Sequence, residues 1–248
     1  MLRAHPMPPV TWHRTILPWW GMVLPILILL PGAAESHLFH KVFELPDTQL
    51  TKDYVVLLRL IDFPYERFAL AEQVYRGEQR VRLKPGGFRS WLKRPLEPGM
   101  VFKADYQAKR WTGSLASEAQ RLDETYGTAL RQRIEAGLRA RNAEAVRGAF
   151  REMFFYLMRE LFEALWVHLG EPEAPSRLYN VLSRYFSVSL EAFLNVNYRA
   201  SYAVIRAVLD AVERTLGDPD RGVPPTPEVF QQQRVRFLRL LEQVLQRS

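Results

Sequence analysis

"MFFYLMRELFEALWVHL", Met153 to Leu169, holds thirteen apolar residues in seventeen. At 100° per residue, Glu152, Arg159, Glu160 and Glu163 gather into one stripe about a quarter of the circumference wide. The rest of the helix surface is apolar. Such a helix is stable only when other elements cover most of it. It reads as the centre of a helical bundle, with four companions available to cover it. A helix lying in a membrane interface, or the wall of an apolar ligand pocket, are the alternatives.

The companions follow from the same periodicity. Leu115, Leu122, Tyr126, Leu130, Ile134 and Leu138 recur at helical spacing behind Ser114 or Ser117, which predicts one helix to about Ala140. Asn142 caps the central helix, and "GEPEAP" stops it. Ser176 opens a third helix that runs to "NVNY", Asn195 to Tyr198, where it breaks or bends. Val204, Ile205, Val208, Leu209, Val212 and Leu216 mark a fourth, ended by Gly217 and Pro219. Thr226 and Pro227 form a cap and first-turn pair for a fifth, to about Gln246. Short loops between such helices predict a bundle over residues 112–248.

Residues 35–111 have a different texture. "YVVLLRL", Tyr54 to Leu60, suits either a buried strand or a helix turn. "EQRVRLK", Glu78 to Lys84, alternates as a strand does, and "MVFKADY", Met100 to Tyr106, is a candidate to pair with it. The stretch between them is rich in Pro and Gly and reads as a connection. The expected fold class is therefore mainly α: a bundle of about five helices preceded by a small mixed α+β N-terminal subdomain.

The first 34 residues predict the compartment. No charge occurs from Thr15 through Ala34, and the residues before them carry Arg3 and Arg14 without an acid. A basic start, an apolar run broken by Pro31, and the small Gly32 and Ala34 at its exit are the pattern of a secretory signal cleaved after Ala34. The alternative is an inner-membrane anchor that holds the domain outside the cytoplasm, since twenty uncharged residues just span a hydrocarbon core about 30 Å thick. Three prolines, Pro18, Pro25 and Pro31, favour cleavage. Periplasmic or secreted location is the expectation, and it takes nucleic acid out of the set of partners. Removing Arg3 and Arg14 brings the charge of the chain from +7 to +5. Cysteine is absent, which excludes disulfides, thiolate metal sites and thioether-attached haem.

Two groups of residues are candidates for binding. Arg76 to Arg110 holds ten bases against three acids, with aromatic residues interleaved. Arg76, Arg80, Arg82, Lys84, Arg89, Trp91, Lys93 and Arg94 form its densest part, which faces only Glu78. Clustered like charges repel unless something neutralises them, so the stretch suits an envelope protein, an anionic lipid surface or an anionic polymer. A solvated face whose aromatics turn inward is the structural alternative. The second group is Glu35, Ser36 and His37. After cleavage at Ala34 they present a free amine, two amide nitrogens and an imidazole at position three, a square-planar nitrogen set suited to Cu(II) or Ni(II). This resembles the amino-terminal copper and nickel binding motif at the start of some secreted proteins.

No Gly-rich phosphate loop, nucleophile elbow or metalloprotease helix occurs in the sequence. The Glu152, Glu160 and Glu163 set lacks the Glu-x-x-His pairs of a di-metal bundle, so an ion-paired stripe is the expectation there. The sequence thus leads to a non-catalytic binding or assembly factor outside the inner membrane, engaging an anionic or apolar partner and needing no cofactor. An N-terminal Cu(II)- or Ni(II)-binding protein, and an envelope enzyme without a recognisable motif, are the alternatives.

The metal alternative makes a sharp prediction. One Cu(II) should bind the chain beginning at Glu35, with His40 as an outer ligand, and affinity should rise with pH because the ligand nitrogens must lose protons. Titration followed by visible absorption should show binding lost on His37→Ala and on adding one residue before Glu35. Equal binding by all three chains removes the site.

Overall fold

The computed structural model describes residues 48–85, 100–105 and 113–247, all within one compact unit, Leu45–Ser248. The described chain is mainly helical. Among the described residues no helix is long and apolar enough to cross a membrane.

The run left open between strand and helix is helical: α1 spans Gln49–Ile61. Its start is set by Thr48, whose hydroxyl accepts from the Thr51 amide at 3.2 Å. Tyr54, Leu57, Leu60 and Ile61 then fall on one buried face, as helical spacing requires. A short helix, α2, follows over Phe68–Tyr75. Strands β1, Arg80–Pro85, and β2, Met100–Asp105, pair antiparallel with Arg80 opposite Asp105 and Pro85 opposite Met100.

The single helix expected from Ser114 to Ala140 is two. Ser114 is the cap, accepting from the Ser117 amide at 3.1 Å. Helix α3 covers Leu115–Tyr126 and α4 covers Leu130–Arg139. Gly127 ends α3 in the left-handed region, φ 67°. Asp123 then reaches across the break, accepting from the Leu130 and Arg131 amides at 2.6 and 3.0 Å. Periodicity carried through the break because both helices pack against the same neighbour.

That neighbour is α5, Ala143–Val167, capped by Asn142 through the Ala145 amide at 3.0 Å. Helix α6, Ala174–Phe186, begins two residues before Ser176 because Pro175 is accommodated in its first turn. A π-helical turn, Ser187–Glu191, leads into α7, Ala192–Asn197. The chain then breaks at Tyr198, φ −141° and ψ 50°, before α8, Arg199–Thr215. A 3-10 turn, Pro219–Arg221, and a loop lead to α9, Pro227–Leu245. Thr226 precedes α9 as expected but its side chain caps nothing. Its amide instead donates to the Thr215 carbonyl at 2.9 Å, tying the start of α9 to the end of α8.

The core is organised around rings on α5. Phe150 and Phe154 meet Tyr54 of α1 at centroid distances of 5.1 and 4.6 Å, and Phe150 meets Tyr75 of α2 at 6.2 Å. Phe154 also meets Tyr185 of α6 edge-on at 5.2 Å. About two turns further on, Phe162 packs between Phe230 and Phe237 of α9 at 6.2 and 5.4 Å. Each such pair contributes about 0.5–1.5 kcal/mol beyond its buried area. The helices from both ends of the described chain therefore converge on α5.

Two glycines with nearly the same φ separate backbone strain from crowding. A Cβ on Gly127 would meet nothing within 4 Å, whereas one on Gly217, φ 78°, would lie 2.6 Å from the Val223 carbonyl oxygen and 2.8 Å from the Pro225 nitrogen. Gly127→Ala should cost about 1–2 kcal/mol, the left-handed penalty alone. Gly217→Ala should cost about 1–3 kcal/mol more, since backbone must shift to admit the methyl. Denaturant midpoints at constant slope measure both, and equal costs would mean that the α8–α9 loop yields freely.

Candidate functional site

The polar stripe of α5 is built as an ion-paired seam. Glu160 forms a two-bonded fork with Arg121 of α3, at 2.8 and 2.5 Å. Glu152 pairs with Arg133 of α4, and Glu163 with Arg234 of α9. Arg159 lies over the Tyr126 ring, 5.3 Å from its centroid, and Tyr126 stacks on Tyr156 at 4.7 Å. Each carboxylate of the stripe thus holds an arginine from a different helix. Partly exposed pairs of this kind contribute about 0–1 kcal/mol each, so their main effect is to fix register.

A second network sits at the other end of α5 and was not anticipated from the sequence. The turn from α4 places Arg141 in the left-handed region, φ 52°. The Asn142 amide then donates to the Gly137 carbonyl at 2.9 Å and the Arg141 amide to Leu138 at 3.2 Å, the double bond of a Schellman ending. This turn sets the first residues of α5 against α4. Glu144, in the first turn, accepts from Arg151 Nη2 at 2.7 Å and lies 3.4 Å from Arg147 Nη1. Arg147 also pairs with Asp62, the C-cap of α1. Arg151 is 8% exposed. Its guanidinium carbon lies 4.0 Å from the centroid of Phe193 on α7. Its Nε is buried with no hydrogen-bond partner among the described residues.

The π-helical turn explains how Phe193 comes to cover this guanidinium. One extra residue per turn rotates everything that follows relative to α6. Ser189 steadies the turn by donating to the Tyr185 carbonyl at 2.6 Å. Gly148, one turn before Arg151 on α5, lies beside the guanidinium: a Cβ there would meet Nη2 at an ordinary contact distance of 3.7 Å.

Arg151 and Glu144 line a groove of about 920 Å³ between α4, the start of α5 and the end of α9. Small residues, Ala136, Ala140, Ala145 and Gly148, share the lining. Phe155, Tyr156 and Leu245 supply apolar surface, and the Arg133–Glu152 pair and Glu242 supply the remaining charge. The arrangement offers a desolvated cation beside an apolar trough. Burial alone would raise the Glu144 carboxyl, but the hydrogen bond and charge of Arg151, with Arg147 beside it, hold it below its ordinary value of 4.5.

The sequence-derived candidates are placed only in part. Arg76 pairs with Glu72 at 2.5 Å, and the Arg80 charge acts on Asp53 of α1. Asp53 is buried, which pushes its carboxyl up, against the Gln49 hydrogen bond at 2.8 Å and Arg80, which lower it. Arg82 and Lys84 stand opposite Lys103 and Val101 in the β1–β2 register. Arg89, Trp91, Lys93 and Arg94 lie outside the described residues, as do Glu35, Ser36 and His37. Among the described residues no three His, Asp or Glu side chains gather as metal ligands. His168 caps the end of α5 and its Nδ1 lies 2.7 Å from Glu171 Oε1.

Arg151 had a signal in the sequence. It falls outside the polar stripe of α5, on a side that must be buried, and Glu144 precedes it by seven residues, two turns, on the same face. A charge off the stripe needs a partner in line with it. Comparison with family models, curated proteins and solved structures finds no match to the chain.

The lowered Glu144 carboxyl fixes a pH dependence. Its contribution to stability is complete above the ordinary carboxylate range and is lost as pH falls through its depressed folded value. Glu144→Gln should therefore be less stable than the parent at neutral pH, and the difference should shrink as pH falls below about 4.5. Chemical denaturation across that range decides it, and a difference independent of pH would remove the pair's linkage.

Proposed function

We propose that the protein is an exported, non-catalytic binding or assembly factor that engages an anionic surface outside the inner membrane through the basic stretch 76–94. The observation that supports this reading is the uneven balance of basic and acidic residues along the chain. From residue 113 onward eighteen arginines and no lysine stand against seventeen carboxylates. At least ten of those arginines are in ion pairs, several of them between helices. The bundle's cations are thus largely matched within the bundle. The surplus charge of the mature chain is concentrated earlier, where ten bases between Arg76 and Arg110 face three acids. A density of that kind beside aromatic residues fits an anionic headgroup or polymer surface. On this reading residues 1–34 deliver the chain across the membrane, and the subdomain that precedes the bundle carries the contact.

Each basic residue held near an anionic membrane contributes about 1 kcal/mol. The triple variant Arg89→Gln, Lys93→Gln, Arg94→Gln should therefore weaken binding to vesicles containing anionic phospholipid by about a hundredfold. Raising the salt should weaken the parent more steeply than the variant, because screening acts on exposed charges. Co-sedimentation with anionic and zwitterionic vesicles measures this, and parent binding that is indifferent to lipid charge would overturn the proposal.

A further inference from the structure

We propose that the groove between α4, α5 and α9 binds an amphipathic monocarboxylate of the fatty-acid class, whose head displaces Glu144 from Arg151. This inference is independent of the basic stretch. It begins with a half-filled fork. The Nη2 and Nε groups of an arginine form one edge that takes both oxygens of a carboxylate in parallel. Glu144 takes Nη2 alone, and Nε is left buried without a partner. The second Glu144 oxygen is turned to Arg147 Nη1 at 3.4 Å. No group among the described residues completes the edge.

An incoming carboxylate can complete it with little disturbance. The Glu144 side chain is 67% exposed, so it can swing aside, and Arg147 retains Asp62 when it does. Phe193 backs the guanidinium at 4.0 Å and fixes its plane, which preorganises the fork. The exchange replaces one carboxylate on Arg151 by another and leaves no buried cation unpaired.

The remainder of the groove sets the tail. Phe155 follows Arg151 by one turn, and Tyr156 and Leu245 supply further apolar surface in a lining shared with the small Ala136, Ala140 and Ala145. About 920 Å³ is within the size range of small-ligand sites, roughly 300–1,000 Å³. Glu242 and the Arg133-paired Glu152 also line the groove and would repel a second negative group. The head therefore goes to Arg151 and the chain lies against Phe155, Tyr156 and Leu245.

Isothermal titration of the chain beginning at Glu35 with dodecanoate, below its micelle concentration, tests this against dodecanol and acetate. Dodecanoate should bind more tightly than either by about tenfold or more, because a hydrogen-bonded charge pair adds to the tail's burial. Arg151→Gln should lose about that factor. Glu144→Gln should bind dodecanoate about two- to tenfold more tightly, since the resident competitor has lost its charge. A structural pair would give no such gain, and this arm stands even where Arg151→Gln fails to fold. Equal binding of dodecanoate and dodecanol reduces the groove to a greasy surface. Unchanged or weaker binding by Glu144→Gln overturns the displacement.

Discussion

Everything else in this structure follows from the need to take α5 out of water. Fully burying one large apolar side chain is worth about 1.5–3 kcal/mol, and α5 buries Phe150, Met153, Phe154, Met158, Phe162 and Leu165 completely. No single partner helix can cover so much of a circumference. Tyr54 and Tyr75 close the first half, Tyr185 joins them, and Phe230 and Phe237 close the second. Since these rings come from α1, α2, α6 and α9, the topology is a consequence of one helix's composition. The first and last described helices are brought into a common core by it.

The polar seam performs a different task from the rings. Burial is indifferent to rotation as long as apolar meets apolar, so it leaves the angular setting of α5 poorly defined. Glu152, Glu160 and Glu163, each bound to an arginine of a different helix, remove that freedom. Rotating α5 by one residue, 100°, would carry at least two of the three carboxylates off the seam. The pairs add little stability individually, yet they make the wrong settings costly. Composition supplies the adhesion and the stripe supplies the orientation.

The sequence discloses these two features to different depths. The stripe and the apolar remainder of α5 are visible in periodicity alone, and so are the extents of α8 and α9. The break between α3 and α4 is not, because Leu130, Ile134 and Leu138 continue the phase of Leu115 and Leu122 across Gly127. Periodicity reports which face is buried and says nothing of a change in direction. The π-helical turn at Ser187–Glu191 escapes for a related reason: it shifts phase by one residue, within the tolerance of an amphipathic pattern. Tyr54–Leu60 was ambiguous because a short buried run looks alike in both periods, and contact with α5 resolves it. Of the candidate contacts, Arg76 and Arg80 are placed beside carboxylates, and Arg151 was missed because attention to the stripe hides a charge that lies off it.

That off-stripe charge is the point at which local rules and the fold part company. A buried arginine held by one carboxylate through one nitrogen leaves Nε unsatisfied, at a cost of about 1–3 kcal/mol. The bundle needs nothing there: leucine at position 151 would extend the apolar surface, and removing Glu144 as well would leave no group unpaired. One feature outside α5 also bears on the guanidinium: the π-helical turn precedes the helix that carries Phe193 over its face. Glu144 is supplied by α5 itself, two helical turns earlier on the same face. The π turn is a locally uncommon geometry. An uncommon turn and an unsatisfied Nε that meet at one side chain are explained better by what that side chain binds than by the stability it contributes.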